Sequence, residues 1–173
     1  MAILPILVAP NPVLKTKAKP VDTVDDEIRQ LMNDMLETMY NAPGIGLAAP
    51  QVGVSKRVIV VDITTEDEEP NPLCMANPEI IWASEEEELR EEGCLSLPEQ
   101  FAEVVRPKAV RVRYLDKEGE IRELDADELM GICVQHEMDH LDGTLFVDHL
   151  SSLKRNMILR KLRKSRSGKP ATV

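Results

Sequence analysis

The segment DADELMGICVQHEMDHLDG, residues 125–143, constrains the chain more than any other. Its pattern predicts a helix, on which residues four apart are rotated by about 40° from one another. His136 and His140 therefore project from successive turns of one face. Glu137 is rotated by about 100° from His136, so it aims beside any ion the two rings share. That is the chemistry of H-E-x-x-H, in which two imidazoles hold a divalent ion and the carboxylate handles a proton. Leu129, Ile132, Cys133 and His136 also fall at i, i+3, i+4 and i+7, so the histidines continue an apolar stripe. Buried histidines need partners. The fold must then wrap this helix and carry a third ligand to it from elsewhere. A core histidine with one satisfied hydrogen bond is the plain alternative for either ring.

One known layout places the third ligand six residues after the second histidine, but that position is Phe146. Another uses a downstream Glu, and the last acid of the chain is Asp148. Asp139 sits too close to His140 to share its ion easily and is expected to orient an imidazole instead. Asp142, Asp148 and His149 are further candidates, the last beyond the helix end. Of the three cysteines, Cys74 follows NPL in an expected loop. Cys133 lies one turn before His136 and reads as a pocket wall. Cys94 lies in EEGCLSLP, where Gly93 permits an unusual backbone and Pro98 punctuates the end. Three is an odd count for a disulfide framework, and Cys94 is the preferred ligand, with the other candidates left open.

The remaining chain reads as α+β with mostly antiparallel pairing, because strands lie between one early helix and two late ones without regular βαβ alternation. Residues 25–40 form a helix with Ile28, Leu31, Met32, Met35, Leu36 and Met39 on one arc, ended by Pro43-Gly44. GIGLAAPQVG (44–53) reads as a small-residue loop, RVIVVDI (57–63) as a buried strand and PEIIWAS as another strand. EEEELREEGCLSLP reads as an acidic strand or loop, and AVRVRYLDKEGEIREL as a hairpin. A last helix is expected over residues 151–165, followed by a frayed end. Residues 1–150 are expected to form one catalytic metallohydrolase domain, with 151–173 a basic helix and tail of the same domain.

Three stretches resemble the signature motifs of peptide deformylases: GIGLAAPQ (44–51), EGCLS (92–96) and QHEMDH (135–140), in the family's order and at its approximate spacing. The resemblance covers nearly the whole chain, with no departure at a motif position. It implies an α+β fold with antiparallel sheets around a central metal-binding helix. It also implies an enzyme that removes the N-formyl group from the initiator methionine of new polypeptides and releases formate. By position, Cys94, His136 and His140 correspond to the metal ligands and Glu137 to the general acid/base. Gln51 and the backbone N–H of Leu95 correspond to the oxyanion donors. One divalent ion per chain is implied, Fe²⁺ natively, with Zn²⁺, Ni²⁺ or Co²⁺ suited to the same mixed sulfur and nitrogen donors. Three protein ligands leave a position open for water, and one thiolate with two neutral imidazoles leaves about +1 net charge to acidify it.

In that context GIGLAAPQ becomes a substrate-aligning edge. Gly46 offers backbone hydrogen bonds to an extended peptide. Ile45, Gly93, Leu129, Ile132 and Cys133 join it as expected substrate contacts, the apolar ones walling a methionine pocket. Glu92, two residues before Cys94, is expected to hold Arg106 and stiffen its strand.

Charge divides the chain. The 31 acids all precede His149 and meet 13 Lys and Arg, whereas residues 154–169 carry eight Lys and Arg and no acid. Leu150, Leu153 and Met157 share a face from which Ile158, Leu159 and Leu162 turn away. The first turns are therefore expected to pack and the end to project. A projecting basic helix suits RNA, which for this family implies the ribosome near the exit tunnel. Aromatic residues are 3% of the chain, too few for a base-stacking platform, and no DNA partner is expected. No apolar run approaches a membrane span, and the N-terminus resembles neither a signal nor a transit peptide. A cytoplasmic protein without a membrane partner is expected.

Overall fold

The computed structural model describes residues 2–167. Helix α1 (Asp26–Asn41) starts where Asp25 caps it, its carboxylate accepting from the Ile28 N–H at 2.9 Å. Asp26 and Glu27 follow in the first turn, where negative charge complements the helix dipole. Ile28, Met32, Met35, Leu36 and Met39 form the buried face.

Five antiparallel strands form the main sheet in the order β1 (Gly46–Ala48), β2 (Val58–Val61), β3 (Leu73–Ala83), β6 (Ala109–Leu115) and β7 (Ile121–Asp127). Strand β2 is buried at all four residues because both faces of the sheet are covered. Val58 and Val60 pack with Met32, Met35 and Met39 of α1. Ile59 and Val61 pack with Cys133, Val134, Met138 and Leu141 of helix α2 (Glu128–Leu141) on the other side. The motif helix is thus held in the core, and α+β with antiparallel sheets is the observed class.

Strands β4 (Glu87–Cys94) and β5 (Leu97–Pro107) form a separate two-stranded sheet. Gly93 opposes Phe101 but Cys94 opposes Leu97, so residues 98–100 bulge out where the hairpin meets α2. A third apolar cluster joins this hairpin, through Leu97 and Val104, to Leu14, Phe146 and Leu162. Leu162 belongs to helix α3 (Ser152–Ser167).

Several expectations change. The small-residue loop is strand β1 followed by a 3-10 turn, Ala49–Val52. Cys74 lies on β3, which begins before the expected PEIIWAS strand, and is buried rather than in a loop. Residues 125–127 of the motif segment end β7 instead of starting the helix. Helix α3 docks by the face opposite to the expected one. Leu162 is 2% exposed, with Ile158 and Leu159 packed beside it, while Leu153 is 73% exposed. The main contact therefore lies at Ile158, Leu159 and Leu162 and not in the first turns. The frayed end expected for the tail lies outside the described residues.

Candidate metal centre

Helix α2 carries His136 and His140 at adjacent turns, with ring centroids 5.1 Å apart. The end of β4 brings Cys94 to them, its Sγ 3.4 Å from His140 Nε2. One donor atom from each of the three residues lies within 4.8 Å of the other two, the one such group found among the described residues. Metal–sulfur and metal–nitrogen bonds of about 2.3 and 2.0 Å in a tetrahedron separate donors by roughly 3.5 Å, so the spacing suits one ion. The other candidate ligands stand elsewhere: Cys74 on β3, and His149 and Asp148 on a 3-10 turn, Phe146–His149.

Both rings are oriented for this task. Glu92 Oε1 lies 2.9 Å from His136 Nδ1, which donates to it, leaving Nε2 to face Cys94. Arg106 grips the same carboxylate with two bonds, Nε to Oε2 at 2.6 Å and Nη2 to Oε1 at 2.9 Å. Burial raises the Glu92 carboxyl, but the bonds from His136 and Arg106 outweigh burial and hold it down at about 2. It is therefore an anion throughout the physiological range. Burial, followed by repulsion from His136, holds His140 well below the usual imidazole range, so it is neutral and ready to donate a lone pair. The Nδ1 of His140 is buried without a partner among the described residues.

Glu137 is buried beside the three donors, and burial pushes its carboxyl up to about 7. Its Oε1 has no hydrogen-bond partner among the described residues. The space it occupies exists because position 46 is glycine. A Cβ there would lie 2.5 Å from Glu137 Oε2, closer than such atoms approach. Gln51 is fixed from behind: its Oε1 accepts from the Ala48 N–H at 2.9 Å, so its NH₂ must point forward. That NH₂ reaches Ser96 Oγ at 3.0 Å and Cys94 Sγ at 3.6 Å. The turn after Cys94 places Leu95 on the wall of the same cleft.

The cleft has a volume of about 600 Å³. Ile45, Gly46, Gln51, Gly93, Cys94, Leu95, His136 and Glu137 line it. Leu129, Ile132 and Cys133 are not in that lining. Cys133 stands behind it, its thiol 3.6 Å from the Ile45 carbonyl. Ile132 is in the core, and Leu129 is 38% exposed.

Some contacts were not foreseen. Glu92 holds His136 as well as Arg106. Asp139 does meet an imidazole, but it is that of His149 at 2.8 Å, and its second partner is Arg106 at 2.8 Å. Ser96, given no role by its motif, positions Gln51. Pro98, Glu99, Gln100 and Phe101 enter the cleft lining from the bulged strand. The positive φ of Glu99, 64°, is the backbone signature of that bulge and has no counterpart in residue type.

The fold and this grouping of thiol, two imidazoles and a buried carboxylate define a metal-dependent hydrolase. The particular family follows from comparison with known proteins. The polypeptide deformylase family model matches residues 3–156. A peptide deformylase from Phenylobacterium zucineum is 58% identical over 164 residues, 95% of this chain and 97% of that one. One from Rhizobium meliloti is 52% identical over 165 residues, 95% of each chain. The crystal structure of peptide deformylase from Ehrlichia chaffeensis superposes with a TM-score of 0.92 at 39% identity, covering 96% of this chain and 98% of that one. The same organism's protein in complex with actinonin gives 0.91 at 41% identity, covering 95% and 98%. The chain belongs to the polypeptide deformylase family.

Proposed function

We propose that this protein removes the N-formyl group from the N-formylmethionine of newly made polypeptides and releases formate, using one divalent ion at Cys94, His136 and His140. The observation that carries the reading is the convergence of those three donors beside the buried Glu137 on the wall of one cleft. The donor set fits an ion: both imidazoles aim a nitrogen at the sulfur, and His140 is neutral. A divalent ion there supplies a Lewis acid that acidifies water and polarises a carbonyl. Fe²⁺ is the proposed native ion, and Zn²⁺, Ni²⁺ or Co²⁺ suit the same donors.

The residues do the rest. The Gln51 NH₂ and the Leu95 backbone N–H donate to the formyl oxygen as negative charge develops on it. One such donor is worth about 2.7–4 kcal/mol of barrier. Glu137 takes the proton of the attacking water at its carboxylate and gives it to the leaving amine. Burial works to raise this carboxyl above the usual carboxylate range, which favours its accepting the proton and passing it on. Gly46 and Gly93 line the cleft along which an extended peptide lies, with Glu137 and the Phe101 ring packed close against them, and Ile45, Cys133, Ile132 and Leu129 shape the methionine side. Glu92, Arg106 and Asp139 keep the His136 ring in register.

Formate release tests the reading. Protein purified without air is expected to hold one divalent ion per chain and to release formate from a formyl-Met peptide. No formate from fully loaded protein would overturn it.

The substrate is made on the ribosome, and we propose that α3 contacts ribosomal RNA near the exit tunnel through its basic outer side, in the cytoplasm. The docked face is turned inward at Leu162, which leaves Arg160 and Arg163 exposed. Charge reversal of both, Arg160→Glu with Arg163→Glu, is expected to abolish ribosome co-sedimentation at low salt while formate release from a free peptide continues. Co-sedimentation unchanged by the double substitution would remove this part. No helix among the described residues is long and apolar enough to cross a membrane.

A further inference from the structure

A second cavity, of about 290 Å³, lies between β5 and α3. Its α3 side is Lys154, Met157, Ile158 and Lys161, at i, i+3, i+4 and i+7, so it is one continuous face of the helix. Its floor includes Leu150 and Ala102. Phe101 is the one residue that lines both this groove and the catalytic cleft. The Phe101 ring covers the backbone of Gly93, directly opposite it in the hairpin: a Cβ on Gly93 would lie 2.5 Å from Phe101 Cε1. Even so, Phe101 is 62% exposed and Met157 is 47% exposed. The two cavities therefore adjoin at Phe101, whose ring is largely exposed between them.

We propose that the polypeptide being deformylated continues over Phe101 into this groove, and that the groove binds an apolar side chain flanked by carboxylates. The proposal rests on the deformylase reading of the cleft. The register supplies the length. Glu103, on the groove's β5 side, opposes Glu91, three residues before the ligand Cys94. Three strand residues span about 10 Å, and an extended substrate covers that distance in about three residues. With formyl-Met as the first residue, the fourth to sixth residues reach the groove. The apolar centre is Met157 and Ile158, and Lys154 and Lys161 stand one turn to either side. Neither lysine is in an ion pair among the described residues, and both are exposed. Glu103 opposes them as the one acid of the lining, leaving a cationic edge on an otherwise acidic body. That balance favours carboxylates on the substrate over ammonium groups.

Three peptides test this with metal-loaded protein: formyl-Met-Ala-Ser, an octapeptide extended by Asp-Leu-Asp at positions four to six, and a matched octapeptide with Lys-Ser-Lys there. The readout is kcat/KM for formate release at low salt. The acidic octapeptide is expected to exceed the basic one by roughly tenfold, as two screened charge pairs and one partly buried leucine imply. The ratio should fall to one or below in Met157→Glu with Lys161→Glu, and likewise in Lys154→Glu with Lys161→Glu, which leaves every apolar contact in place. A wild-type ratio near one, with the tripeptide cleaved normally, overturns the groove and leaves the deformylase reading standing. A ratio unchanged in both variants also overturns it, and lost ribosome co-sedimentation in them would then assign the lysines to RNA. No formate from any peptide overturns the deformylase reading itself.

Discussion

At the scale of single residues, Glu137 shows how burial tunes a common side chain. A solvated glutamate is ionised at neutral pH and a poor proton acceptor. Here burial lifts the carboxyl to about 7, with attraction from His136 opposing and repulsion from Glu92 assisting. In metal-free protein an infrared titration of the carboxylate should therefore show one group half-ionised near pH 7. The sign follows directly: below that pH the group holds its proton and cannot accept another from water. Metal adds positive charge a few ångström away, so the loaded protein should titrate lower. A carboxylate that ionises near its usual 4.5 in the metal-free protein would contradict this assignment.

The three donors that the structure groups together were candidates in the sequence because metal binding demands their types. H-E-x-x-H at helical spacing stands out, and Cys94 is preferred among several candidate third ligands. Of their supports, only the Glu92–Arg106 pair was expected, and it is present. The Glu92–His136 contact joins residues 44 apart in sequence and the Arg106–Asp139 pair 33 apart. Nothing local in either segment requires the partner, and only the closed fold creates it.

At the scale of elements, readability tracked the cleanness of the pattern. Helix α1 has a capping aspartate and one apolar arc, and β2 is an unbroken apolar run buried on both sides. Strand β5 was not recognised. Its inward positions are Ala102, Val104 and Arg106, and the arginine stands where alternation calls for an apolar residue. It is tolerated because Glu92 and Asp139 pair it, and burying it unpaired would be costly. Helix α3 offered two apolar faces of similar strength. The sequence pattern does not say which one meets a surface; the hairpin does, by presenting Leu97 and Val104 to Leu162. Leu162→Ala is expected to destabilise the protein by about 2–5 kcal/mol in denaturant unfolding, and Leu153→Ala by less than about 0.5 kcal/mol. Equal effects of the two would contradict the docking described.

At the scale of the whole molecule, the architecture converts a core helix into a reaction site. One sheet holds α2 against α1 through opposite faces of β2. A separate hairpin, clamped by α3, then lays Cys94 onto the histidines. The third donor of the group thus comes from a different sheet, about forty residues upstream. The site is complete only when both packing units are formed, so metal loading should report on the whole fold.

The most direct test of that convergence is X-ray absorption at the metal edge of zinc-loaded protein. One sulfur at about 2.3 Å and two imidazole nitrogens at about 2.0–2.1 Å are expected, with the sulfur lost in Cys94→Ala. A wild-type spectrum without sulfur, or one unchanged by removing Cys94, would contradict it.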